Sequence, residues 1–115
     1  MVEVTHAEFE ALVSMALDAI PEALADRMDN VAVVVEDMGA SPNLLGLYHG
    51  IPLTSRGNNY GGMVLPDRIS IYRLPICRIS RDNDHVVEQV RRTVIHEVAH
   101  HFGISDERLT ELGWN

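Results

Sequence analysis

HEVAHHFGISD, residues 96–106, holds three of the chain's six histidines in six consecutive positions, beside a glutamate and shortly before an aspartate. Its spacing is helical. At about 100° of rotation per residue, His96 and His100 stand about 40° apart on one face, with Glu97 about 100° round from His96. Two imidazoles one turn apart can meet one Zn²⁺ at the usual ~2.0–2.1 Å. Glu97 then falls just outside the ligand shell, near enough to take a proton from a bound water. No other residue of this helix points at the same spot, so a third ligand has to come from beyond it. Gly103 can enter the left-handed conformation and turn the chain back. Asp106, three residues later, offers a carboxylate oxygen. Two neutral imidazoles and one carboxylate leave a fourth position for water, as a catalytic zinc site requires.

Outward from this stretch, the helix extends back to Asp82 or Asp84 and forward to Phe102, with acidic residues in the first turn, where the helix dipole favours them. Val87, Val90, Val94, Ile95, Val98, Ala99 and Phe102 form its apolar arc. Gln89 and Thr93 lie above the histidines on the polar side. His101 is about 140° from His96 and cannot share its coordination sphere without unwinding the helix. It is expected behind the ligands or in the core, bonded to a backbone carbonyl or a carboxylate. Ser105-Asp106-Glu107 also reads as the cap and acidic first turn of a short final helix, a role compatible with ligation.

Near the other end, Thr5 and Glu8 form a capping box, followed by Phe9, Leu12, Val13, Ala16, Leu17 and Ile20 at helical spacing. Pro21 ends that helix or starts a short continuation over Glu22–Met28. After the Asp29-Asn30 turn, Val31–Val35 is a continuous apolar run, expected to be a strand covered on both faces. Residues 39–62 are rich in glycine and proline, with an extended piece around Leu44–Tyr48. Met63–Leu65 reads as a further short strand, Ile69–Tyr72 as a half-exposed one, and Pro75 as the start of a helical turn. The order predicts one α+β domain over residues 1–115, a small twisted mixed sheet packed on an N-terminal helix and the long histidine-bearing helix, with a short C-terminal helix.

Composition narrows the function. The 115 residues are 46% hydrophobic, and 17 acidic against 9 basic side chains give a net charge of −8, which argues against nucleic acid and anionic membranes as partners. No stretch approaches eighteen consecutive apolar residues, and MVEVTHAEFE lacks a basic region leading into an apolar one, so the expected location is cytoplasmic. Cys77, the single cysteine, has no partner for a disulfide or thiolate site and is expected to be a small buried or half-buried side chain.

HEVAHHFGISDERL resembles the signature of the small bacterial zincin-like metallopeptidases, H-E-x-x-H-x-x-G-x-x-D, and LPDRISIYR and EQVRRTVIHE extend the likeness upstream. The resemblance implies a minimal zincin fold, one zinc ion, His96, His100 and Asp106 as metal ligands, and Glu97 as the catalytic acid/base. The motif is also similar to that of the metzincins, with Asp in place of their third histidine. No methionine follows Asp106, so this resemblance carries no Met-turn, and a partner chain or second copy is a candidate for completing the cleft.

The expected chemistry is hydrolysis of a peptide or protein by a Glu97-activated, zinc-bound water. Tyr48, His49, Tyr60 and Tyr72 are candidates for stabilising the oxyanion, and Gly61–Leu65 for an edge along which substrate lies. The rival expectation is a zinc-stabilised interaction domain that turns nothing over.

Overall fold

Helix α1 (His6–Asp18) starts where the capping box placed it. Thr5 Oγ1 accepts from the Glu8 amide and Glu8 Oε1 from the Thr5 amide, both at 3.1 Å. Its stripe of Phe9, Leu12, Val13 and Ala16 is buried. Pro21 caps α2 (Glu22–Ala25), which tightens into a 3-10 turn over Asp26–Met28. Then come β1 (Val31–Glu36), β2 (Gly46–His49), β3 (Asp67–Tyr72), α3 (Arg73–Ile79), α4 (Asn83–His101) and α5 (Asp106–Leu112). The structure, a computed structural model, describes residues 1–50 and 67–115. Met63–Leu65, the Gly61–Leu65 edge and Tyr60 lie outside the described residues.

The three described strands form a mixed sheet in the order β1-β3-β2. β3 runs parallel to β1, with Val33 opposite Ile69, and antiparallel to β2, with Tyr48 opposite Ile69. This reverses the expected burial of two strands. Among the described residues β1 is an edge strand and Val31–Val35 are only half-buried, whereas β3 is central and Ile69–Tyr72 are all buried. Period-two alternation in β3 marks two covered faces. Ile69 and Ile71 enter the core, while Ser70 on the other face meets His49 Nε2 at 3.3 Å, and the Tyr72 ring lies under Gly39.

Helix α4 packs on α1 and rests against β2 and β3. Val86, Val90, Val94, Ile95, Val98 and Ala99 are fully enclosed in one core cluster with Phe9, Leu24, Ile69, Ile71 and Leu109. Two members of the expected apolar arc depart from it. Val87 is only half-buried, and Phe102, at the helix end, is 40% exposed beneath the Arg27 guanidinium, 5.6 Å from its ring centre. The helix begins at Asp82, whose carboxylate accepts from the His85 amide at 2.8 Å. With its apolar side fixed, the polar face of α4 can point only away from the core.

Candidate metal centre

Helix α4 ends in a glycine turn. Gly103 has φ +77°; its amide bonds the His100 carbonyl at 3.1 Å, and the Ile104 amide reaches back to the Ala99 carbonyl at 2.8 Å. These are the two bonds of a Schellman motif, which satisfy carbonyls the helix would otherwise leave orphaned. Ile104 packs onto the core, Ser105 caps α5 through the Arg108 amide at 3.2 Å, and Asp106 becomes the first residue of α5. The expected acidic first turn is therefore present, with Ser105 as its cap. As an N-terminal helix residue its charge suits the dipole, and its side chain returns to the histidines of α4.

His100 Nε2 lies 3.0 Å from Asp106 Oδ1, and His96 Nδ1 lies 3.8 Å from the same oxygen. One donor atom from each of the three side chains falls within 4.8 Å of the others. The hydrogen bond from His100 holds the Asp106 carboxyl below the usual aspartate range, and the nearby charges of His100 and His96 act in the same direction. Ligands at ~2.0–2.1 Å around a tetrahedral ion stand about 3.3 Å apart. The observed 3.0 and 3.8 Å bracket that spacing and the remaining pair lies within 4.8 Å, so this donor set could close on a zinc-sized ion by side-chain rotation. All three groups are partly open to solvent.

Glu97 leans the other way around the helix, towards the sheet. Its Oε1 accepts the backbone N–H of Tyr48 on β2 at 3.0 Å. The close approach of β2 to α4 makes this bond possible. A Cβ on Gly46 would stand 2.7 Å from the Thr93 methyl and 3.0 Å from the Ser70 carbonyl oxygen, so only glycine lets the strand come so near.

His101 stands apart from His96 and His100, as expected. Its ring stacks on Tyr48 with centroids 3.9 Å apart, and its Nε2 is 3.7 Å from Asp67 Oδ2, which accepts the Tyr48 hydroxyl at 2.9 Å. The carboxylate partner is present, at ion-pair rather than hydrogen-bond distance. Asp67 is a residue that sequence reading did not single out. It opens β3, and nothing local signals that its carboxylate is buried. The same contacts bear on the oxyanion candidates. The Tyr48 hydroxyl is engaged with Asp67, His49 faces Ser70, and Tyr72 is buried under Gly39.

Between β2 and α4 runs a cleft of about 290 Å³, lined by Leu44, Leu45, Gly46, Gln89, Arg92, Thr93, His96 and Glu97. Gln89 and Thr93 border it as their helical positions anticipate. Arg92, one turn before His96, is a lining residue the sequence reading passed over, although i, i+4 spacing could have found it.

A family model described as zincin-like metallopeptidase matches residues 23–114. The chain is also similar in structure to a conserved hypothetical protein of T. thermophilus, with a TM-score of 0.57, 22% identity, and coverage of 94% of this chain and 99% of that one. At that identity the likeness speaks for the fold alone. No curated protein matches the chain. Among the described residues, no helix is long and apolar enough to cross a membrane.

Proposed function

Because the chain belongs to the zincin-like metallopeptidase family, we propose that it is a zinc-dependent peptidase in which His96, His100 and Asp106 hold the ion and Glu97 moves the proton. The supporting observation is the convergence of three donor atoms within 4.8 Å, one of them from His96, which lines the same cleft as Glu97. A zinc ion held there supplies a Lewis acid that lowers the pKa of a coordinated water towards about 7.

The chain's own residues do the rest. The Tyr48 amide holds Glu97 Oε1, which leaves Oε2 to accept the proton of the attacking water and return it to the departing amine. Fixing one oxygen limits the rotamers of the carboxylate and lowers the entropy lost in reaching a reactive geometry. The polypeptide substrate passes along the cleft between β2 and α4 and places one side chain in it.

Glu97→Gln tests the assignment, because the amide oxygen can still accept from Tyr48 while the side chain can no longer act as a base. Protein purified without a histidine tag should carry one zinc per chain, before and after the substitution. Wild type should cleave a denatured-protein substrate, with the variant slower by at least 10²-fold. Equal cleavage by both proteins overturns the role of Glu97. If both load zinc and neither cleaves over a broad substrate panel, the chain is a zinc-binding interaction domain.

A further inference from the structure

The cleft beside Glu97 has an uneven distribution of polar groups. The Thr93 hydroxyl donates to the Gln89 carbonyl at 2.7 Å, the Gln89 side-chain amide meets His85 Nε2 at 3.0 Å, and Glu97 Oε1 is taken by Tyr48. Arg92 is different. The carboxylate nearest to it along the helix, Glu88, is held in a two-pronged bond by Arg91, at 3.3 and 3.2 Å, and feels Arg92 only as a neighbouring charge. Among the described residues Arg92 makes no ion pair or side-chain hydrogen bond. A solvent-exposed guanidinium therefore lines the cleft with no partner among the described residues, in a chain whose net charge is −8.

Position adds to this. Arg92 precedes His96 by four residues, roughly 6 Å along the helix axis and on nearly the same face. An extended peptide advances roughly 3.3 Å per residue, so a group gripped by Arg92 sits one or two residues from a bond held at His96 and Glu97. Leu44 and Leu45 provide apolar surface opposite. At about 290 Å³ the space is near the lower end for ligand pockets, roughly 300–1,000 Å³, and suits one side chain.

We propose that this pocket is a carboxylate subsite: Arg92 pairs in a two-pronged fashion with a substrate carboxylate one or two residues from the scissile bond, while Leu44 and Leu45 cover its methylenes. The proposal rests on the peptidase reading above and names its substrate class, peptides with an acidic group beside the cleaved bond. A carboxylate can come from an Asp or Glu side chain or from a peptide's own C-terminus. Arg matches either, because its planar fork offers two parallel N–H donors to two oxygens.

Matched peptides test it. One pair has Glu or Gln beside the central bond. A second pair ends in a free carboxylate or a carboxamide one residue after it. Each is made in a non-cleavable form with that bond N-methylated, and binding to zinc-loaded wild type, Arg92→Gln and Arg92→Lys is measured by calorimetry at low salt. Wild type should bind the carboxylate member of one pair about three- to tenfold more tightly than its neutral twin. Arg92→Gln should remove that preference, and Arg92→Lys restore part of it. The pair that shows the preference identifies the source of the carboxylate. Equal binding of the twins by wild type, no binding of any peptide, or a preference that survives Arg92→Gln overturns the subsite. The cleavable peptides separate the two readings. An Arg92-dependent preference without hydrolysis keeps the subsite and sinks the peptidase, whereas hydrolysis indifferent to Arg92 does the reverse.

Discussion

Gly103 has φ +77°, and nothing lies within 4 Å of where a Cβ would stand. The only objection to a side chain there is the left-handed backbone, which costs an alanine about 1–2 kcal/mol. Gly103→Ala should therefore lower stability by about that amount in urea unfolding, and also weaken zinc binding, because the turn it strains carries Asp106 back to His100. A loss of stability with unchanged zinc affinity would detach the turn from the site. Cys77 is a simpler case. It is 5% exposed, and burial pushes its thiol up, outweighing the Arg73 charge that pulls it down. Because the thiolate is the reactive form, iodoacetamide should label Cys77 only as fast as the protein opens, and rapid labelling of native protein at neutral pH would contradict the packing.

The elements depend on where the chain allows close approach. Gly46→Ala would drive a Cβ into the Thr93 methyl and the Ser70 carbonyl oxygen, and overpacking of this kind costs about 1–3 kcal/mol. Thr93→Ser removes the methyl but not the carbonyl, so the double variant should recover only part of the loss, which a double-mutant cycle measures. Helix α1 carries a pH-dependent element. Hydrogen bonds from the Thr5 backbone, and then from its side chain, hold the Glu8 carboxyl below the ordinary glutamate range. A carboxyl lowered by folding contributes stability above its unfolded value and loses it as pH falls through the folded one. Wild type should thus be more stable than Glu8→Gln at pH 7, with the gap closing below roughly pH 4. A gap that persists in acid would assign the effect to something other than the charge. Helix boundaries of this kind were legible in the sequence because capping is local: Thr5, Asp82, Ser105 and Gly103 each act within four residues. Strand order was not. Val31–Val35 reads as a central strand by composition, yet it lies at an edge of the described sheet, while β3 with Asp67 and Ser70 lies inside. Their polar groups are satisfied by Tyr48 and His49 from a strand some twenty residues away, and no local pattern encodes that partnership. For the same reason the convergence of His96, His100 and Asp106 could be anticipated from one turn, whereas the Glu97–Tyr48 bond, spanning 49 positions, could not.

At the scale of the whole molecule, the candidate centre joins two unequally anchored parts. Helix α4 is the hub of the fold, packed against α1, α2, α3, β2 and β3. Helix α5 reaches the core mainly through Leu109, with Ile104 and Trp114 packed at its flanks. An ion bound by His96 and His100 on one and Asp106 on the other is a cross-link between the firmly and the lightly held part. Binding only to the folded chain, it adds RT ln(1 + [L]/Kd), about 2.7 kcal/mol at a hundredfold excess over Kd, or a Tm rise of roughly 10 °C for a chain of this length. Chelation should reverse that rise, and Asp106→Asn, which keeps the shape at the start of α5 but weakens the ligand, should abolish most of it. Where the stability is lost is the sharper prediction. Hydrogen exchange after chelation should accelerate first at the Ile104 amide and through α5, while amides around Val90 and Val94 in the enclosed half of α4 keep their protection. Uniform acceleration along both helices would mean that the ion supports the whole core, and an unchanged pattern would mean that these three side chains do not hold it.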